Sequence, residues 1–160
     1  MSLVLLTLAS LATAQAADDW NPSPEQEAVY RALSVRHDPP AGSALDAMSA
    51  DPVATYLDLV EHATQPAWVG MRAASCLITG HAEAALPSLR TWVVSPEHRG
   101  LAILAMGELD AMPLPIATEL ATLALTDGPD PDGIRARILR ADAPEIRALA
   151  NLPIAPATQD

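Results

Sequence analysis

The amino-acid sequence predicts an all-α fold, and three observations support this prediction. Apolar residues recur at spacings of three and four along most of the chain, as they do on one face of an amphipathic helix. Pro, Ser and Asp at positions typical of helix starts alternate with Gly-containing breaks. No stretch shows the sustained alternation of β-branched and polar residues that is typical of a half-buried strand.

The start signals divide the chain into helices of ordinary length. Each consists of a capping residue, a proline that suits the first helical turn, or both. The segment 101–106 is apolar on all sides, so we expect its helix to be sandwiched between neighbours. The predicted starts, in chain order, are Ser23-Pro24, Asp51-Pro52, Pro66, Leu86-Pro87, Ser95-Pro96 and Pro115, followed by two short pieces at 132–141 and 142–152.

The composition fits one compact domain with an acidic surface. The chain has 160 residues, and half of them are hydrophobic, so it can bury a core without metals or disulfide bonds. Its net charge is −11, with 20 acidic residues against nine basic ones, all of them Arg. Nucleic acids and anionic membranes both require clustered cations. We therefore expect neither as a partner, and an acidic face that is solvated or that favours a basic partner.

The first 16 residues have the pattern of a secretory signal peptide. An apolar stretch at 3–11 is followed by Ala-Gln-Ala at 14–16, which is the small-x-small pattern after which signal peptidase cleaves. The stretch is shorter than the ~20 residues that span a bilayer. No Lys or Arg precedes it, so either the amino terminus supplies the charge or the natural start lies upstream. We expect export to the periplasm or the extracellular space, cleavage between Ala16 and Ala17, and no membrane insertion afterwards. A buried N-terminal helix is the alternative.

After cleavage, the remaining chain is predicted to form a single domain with short extensions. We expect a mobile leader at 17–23, one helical-repeat domain at 24–150 and a flexible tail at 151–160. Trp20 lies in the leader. Its indole either packs against the first helix or binds a partner.

An internal repeat links two of the predicted helices. The segments RAASCLITGHA at 72–82 and RGLAILAMGEL at 99–109 both have Arg first, Leu sixth and Gly ninth. Small side chains inside such helices allow close packing, and a terminal Gly permits a left-handed turn. The Arg at the start is expected to reach an acidic or carbonyl group of an adjacent unit. Helix pairs repeated in this way favour a solenoid, and an ordinary helical bundle is the alternative.

The segment 86–109 resembles a unit of the HEAT-repeat family, and bacterial HEAT-repeat domain proteins in particular. The likeness is strong over this unit and weaker over 51–150. It implies a short right-handed α-solenoid of antiparallel helix pairs, in which a concave face holds another protein. The residues that carry the likeness are Arg72, Gly80, Pro87, Leu89, Arg99, Ala102, Ala105, Gly107 and Leu109.

The sequence contains no motif for catalysis, a metal ion or a cofactor, so we expect none of these. The four histidines are not spaced as local metal ligands, although a metal site assembled from distant units stays open. The acidic turn at 126–133 does not match the register of a calcium loop. Cys76 is the single cysteine and lies in an apolar helical stretch, as a buried thiol does.

These observations favour an exported, non-enzymatic interaction or scaffold module of the bacterial envelope. Its partner would be another protein, held by surface side chains of the second helices. Arg90 and Glu119 are the candidates there, with Trp20 as a third. One alternative is an enzyme subunit or small hydrolase whose site the sequence does not reveal, and another is a structural spacer without a specific partner. Trp92 is expected to be buried, whereas Trp68 fits either environment.

Overall fold

The computed structural model describes residues 20–152 of the chain. The predicted signal peptide, its cleavage site, the start of the leader and most of the tail lie outside the described residues. Within them the regular structure is entirely helical, which confirms the predicted class. The α-helices are α1 (Pro24–Ser34), α2 (Gly42–Asp46), α3 (Pro52–His62), α4 (Trp68–Gly80), α5 (Ala82–Val94), α6 (Arg99–Gly107), α7 (Leu114–Thr126), α8 (Pro131–Ile138) and α9 (Pro144–Leu149).

Two helix starts are confirmed down to their capping hydrogen bonds. At α1, Ser23 Oγ accepts from Gln26 N at 3.2 Å, and Gln26 Oε1 accepts from Ser23 N at 2.6 Å. This reciprocal pair is a capping box. At α3, Asp51 Oδ1 accepts from Ala54 N at 3.0 Å. Because these bonds satisfy N–H groups that have no partner within the helix, the starts are defined by local chemistry alone.

Two starts predicted from proline are wrong. α5 begins at Ala82, and Pro87 lies inside it rather than at its first turn. The hydrogen bond from Ala85 N to the His81 carbonyl, at 2.9 Å, already belongs to this helix. Pro87 therefore removes a single backbone hydrogen bond near the helix start, which the helix tolerates. α4 begins at Trp68, two residues after the predicted Pro66.

The start of α6 and the presence of α2 also differ from expectation. A 3-10 turn at Pro96–His98 precedes α6, and the Ser95 side chain makes no capping bond. The Ser95 carbonyl instead accepts from His98 N at 3.1 Å. α2 was not predicted, because it has five residues and buries only Leu45.

The repeat glycines end their helices as predicted, but not in the predicted conformation. α4 ends at Gly80 and α6 ends at Gly107. No glycine among the described residues has a positive φ. A Cβ atom built on either glycine meets nothing within 4 Å. The proposed left-handed turn is therefore wrong, and neither position requires glycine for space.

Small side chains lie where helices approach each other. Ala102 and Ala105 on α6 are buried, as are Ala73 and Ala74 on α4. α6 packs against α4, α5 and α8, so it is sandwiched as predicted. Among the tryptophans, Trp92 is buried in the core, whereas the side chain of Trp68 is 40% exposed.

The helices contact one another in a regular order. α1, α4, α6 and α8 pack in succession, and α5, α7 and α9 do the same. α3 packs on both α1 and α4, α5 packs on α6, and α7 packs on α8. Among the described helices, none has both the length and the apolar character needed to cross a bilayer.

Candidate functional site

A concavity of the described surface lies between α3 and α5, and we call it the α3–α5 groove. Its volume is about 600 Å³. α3 and α5 form its walls, and the start of α6 closes one end. The lining residues are Leu57, Val60, Glu61, Ser88, Trp92, His98 and Leu101.

The groove combines an apolar floor with a polar rim. Leu57, Val60 and Glu61 have the spacing that places residues on one face of α3, and Ser88 and Trp92 are likewise four apart on α5. Leu57 and Val60 are half-buried, whereas Glu61 is exposed. The groove therefore has a half-buried apolar floor and an exposed carboxylate at its edge.

His98 is the polar group with the most constrained environment in the groove. Its Nδ1 atom is buried and has no hydrogen-bond partner among the described residues. A buried N–H without an acceptor is rarer in proteins than an unpaired acceptor, so we assign the proton to Nε2. That tautomer leaves Nε2–H as a hydrogen-bond donor.

The groove contains the residue types of a hydrolase site, but not the hydrogen bonds that link them in such a site. Ser88, His98 and Glu61 all line it. Within residues 20–152 no hydrogen bond joins any two of these three side chains. A serine nucleophile is activated by a base within hydrogen-bonding distance.

A second concavity of about 510 Å³ lies on the α5–α7 surface, and it contains both of the predicted contact residues on the second helices. Arg90 Nε donates to Glu119 Oε1, and this hydrogen bond lowers the pKa of Glu119. On α7, Thr122 Oγ1 donates to the Thr118 carbonyl at 2.8 Å. The sequence placed Arg90 and Glu119 on the second helices, but their pairing depends on how α5 and α7 pack.

Trp20 lies against α1 and α3. Its Nε1–H donates to Asp58 Oδ2 at 2.8 Å, and its ring meets Tyr30 edge-on at 5.7 Å. The ring also stacks on His62, with centroids 6.4 Å apart. The indole therefore has partners within its own chain for both its polar edge and its ring face, and it connects the residues before α1 to α3.

A polar cluster that the sequence did not reveal connects α2, α3 and the loop after α4. Asp46 Oδ1 accepts from Tyr56 OH at 2.7 Å and lies 3.0 Å from His81 Nε2. The Tyr56 side chain is fully buried. Burial acts to raise the pKa of Asp46, but hydrogen bonds from His81 and Tyr56 together hold that pKa below its ordinary value. The carboxylate thus links three separate segments.

We expect Tyr56→Phe to lower the free energy of unfolding by about 1.5–3 kcal/mol at pH 7, because it removes a hydrogen bond to a charged acceptor. The folded pKa of Asp46 is depressed below its unfolded value of about 3.9. The carboxylate therefore stabilises the fold above that pH, and this contribution is lost as the pH falls through the folded pKa. Urea unfolding at pH 7 and pH 3 should show the loss shrinking in acid.

Tyr30→Phe is the matched control for this prediction. Tyr30 OH donates to the neutral carbonyl of Gln65 on an exposed part of the surface. We expect a smaller loss of stability that is equal at both pH values. A Tyr56→Phe effect that is also unchanged at pH 3 would show that Asp46 does not carry it.

Cys76 and the histidines provide no metal site in the described region. There, no three His, Cys, Asp or Glu side chains form a group able to hold a metal ion. Cys76 is half-buried, and burial raises the pKa of its thiol. The thiol therefore stays protonated at neutral pH, as expected for a cysteine that acts as a small apolar residue.

Carboxylates outnumber arginines in the described chain, so its surface field is acidic. The described residues contain all nine arginines and 17 of the 20 acidic residues. Seven arginines donate hydrogen bonds to a carboxylate or a backbone carbonyl of the chain. They are Arg31, Arg72, Arg90, Arg99, Arg135, Arg137 and Arg147.

Fold and site together define an all-helical protein with an amphiphilic groove and an acidic surface. Comparisons with protein-family models, curated proteins and solved structures find no match to this chain.

Proposed function

We propose that this chain is a non-enzymatic protein-interaction module, built as a short right-handed solenoid of helix pairs like those of HEAT repeats. The pairs would be α1 with α3, α4 with α5, α6 with α7, and α8 with α9. The order of helix contacts supports stacking, because first helices pack on first helices and second helices follow each other from α5 onward. Each second helix also packs extensively on the next first helix, and the turn at Leu109–Ala111 after α6 packs on α7.

Two kinds of polar contact connect successive pairs. Arg72 on α4 donates to the Leu33 carbonyl at the end of α1, at 2.6 Å. Arg99 at the start of α6 donates to Asp130, the cap of α8, at 2.9 Å. These contacts agree with the role expected for the repeat arginines, which is to reach a carbonyl or acidic group of an adjacent unit.

The loops inside the pairs are connected as well. Asp46 in the first pair contacts His81 in the second. Asp110 in the third pair accepts from the backbone N–H of Asp142 in the fourth, at 2.8 Å. These contacts join the first pair to the second and the third pair to the fourth, which supports a stacked arrangement.

The observation that carries the proposed function is the surface of the second helices. The α3–α5 groove, of about 600 Å³, and the α5–α7 concavity, of about 510 Å³, lie on either side of α5. Two concavities thus flank one second helix. Such a surface suits a segment of another protein.

Export is part of the proposal and rests on residues 1–16. Mature protein recovered from outside the cytoplasm should begin at Ala17. Amino-terminal sequencing measures this directly, and an intact Met1 on the exported protein would contradict it.

Site-specific photocrosslinking in the producing cells tests the interaction itself. A photoreactive amino acid at Thr91, which is exposed on α5, should give a crosslinked species of one discrete mass. The same amino acid at Met71, which is 38% exposed on α4, is the matched control on the first helices. Equal crosslinking from both positions, or none from Thr91, would contradict a partner bound to the second helices.

A further inference from the structure

We propose that the α3–α5 groove recognises a segment of the partner protein that presents a large apolar side chain next to a Lys or Arg. This inference rests on the proposed function and adds the site and the chemistry of the bound segment. Three features of the groove lead to it: an apolar floor, an acidic rim at one wall and a hydrogen-bond donor at the other.

The floor sets the apolar part of the requirement. Leu57, Val60, Trp92 and Leu101 supply its apolar side chains. A volume of about 600 Å³ lies within the usual range for sites that bind small ligands or side chains. It is large enough for one or two large side chains, whereas a whole helix would have to lie across it.

Glu61 sets the charge. It is exposed, and within residues 20–152 it forms no salt bridge. It is also the penultimate residue of α3, so the negative end of the helix dipole adds to its own charge. A cation placed here gains from both, and the net negative charge of the chain attracts basic segments.

His98 supplies the opposite wall. With the proton assigned to Nε2, the ring offers a donor to a carbonyl oxygen of the bound segment. Glu61 and His98 thus provide one acceptor and one donor on opposite sides of an apolar floor. A segment that crosses the groove can place its Lys or Arg at Glu61 and a carbonyl oxygen at His98 while its apolar side chain enters the groove.

A second copy of this chain is the competing occupant of the groove. Only Arg36 and Arg140 make no side-chain hydrogen bond among the described residues. Arg36 follows Val35, which is 48% exposed, and Arg140 follows Leu139, which is 56% exposed, so each arginine has an exposed apolar neighbour. Self-association of the mature chain that Glu61→Arg abolishes would therefore assign the groove to a second copy and overturn its assignment to a partner protein.

Peptide selection against the full mature chain tests this inference. The probe is a displayed library of random 12-residue peptides, and enriched peptides are then synthesised and their affinities measured. We expect the enriched sequences to share a large apolar residue adjacent to Lys or Arg. Glu61→Arg should weaken their binding about tenfold or more, because it replaces an attraction with a repulsion.

Glu108→Arg is the control with the same change of charge. Glu108 caps the end of α6 that is remote from His98, and like Glu61 it lies at a helix C-terminus. It should leave affinity unchanged. Peptides whose Lys or Arg is replaced by Glu should lose affinity for the natural chain and regain it for Glu61→Arg.

The outcomes separate this inference from the proposed function. Enriched peptides that bind Glu61→Arg as well as the natural chain, but not Glu119→Arg, overturn the groove assignment and keep the interaction module. Failure to enrich any peptide also overturns the groove assignment. The interaction module itself falls if the photoreactive Thr91 variant captures no partner, or captures one no better than the Met71 variant does.

Discussion

Replacing Arg72 by Met should lower the free energy of unfolding by about 2–4 kcal/mol, one of the two largest effects expected for this chain. The Arg72 guanidinium donates to the carbonyls of Leu33 at 2.6 Å, of Val35, and of Arg36 at 3.3 Å. These oxygens lie at the end of α1, where carbonyls have no partner within the helix. Met keeps most of the aliphatic part of the Arg72 side chain, so the loss of unfolding free energy measures the contribution of the hydrogen bonds.

Arg72→Lys should fall between the natural chain and Arg72→Met. An ammonium group carries the same charge but cannot reach three carbonyls with the fixed geometry of a guanidinium. The comparison separates the charge from the shape of the donor. Urea unfolding followed by far-UV circular dichroism gives the midpoint and slope for each variant.

Arg99→Met is the control from the equivalent position of the repeat. Arg99 has a side chain that is 65% exposed, and it pairs with Asp130 across the surface. Solvent screens such a pair, so we expect a much smaller loss of stability. Equal losses at Arg72 and Arg99 would show that the guanidinium contacts at the end of α1 are not what sets the effect.

The elements that the sequence predicted correctly are those specified by adjacent residues. Ser23 and Asp51 cap their helices through bonds to residues three positions on, so a local reading suffices. The start of α5 was predicted wrongly from Pro87, because proline favours the first turn of a helix but also occurs elsewhere. α5 has an extra turn before Pro87, which begins at Ala82. Packing of the buried Ala82 and Ala85 stabilises this turn, and the local sequence does not predict that packing.

The candidate site could be predicted only in part, since it is assembled from distant segments. The α3–α5 groove draws on residues 57–61, 88–92 and 98–101. Because these three segments are far apart in the sequence, no local pattern shows that they line one groove. Asp46 and His81 are 35 residues apart and meet only because two inner loops come together. The sequence could place Arg90 and Glu119 on second helices but not against each other.

The glycines also show that the sequence does not reveal contacts between distant segments. One of them gives the second large expected effect. Gly128→Ala should lower the free energy of unfolding by about 2–3 kcal/mol. A Cβ atom on Gly128 would lie 2.2 Å from the Ala124 carbonyl oxygen and 3.0 Å from that of Val93. Both atoms belong to helix backbones, so relief requires the turn to move away from the last turn of α7 and from α5.

Gly107→Ala provides the contrast, measured by the same urea unfolding. Nothing lies within 4 Å of a Cβ atom there, and alanine is the better helix former. We expect unchanged stability or a gain of up to about 1 kcal/mol. A loss at Gly107 comparable to that at Gly128 would restore the left-handed turn that the repeat suggested. The expected order instead means that the close backbone approach in this fold occurs where α7 turns back against α5, outside the repeated segments.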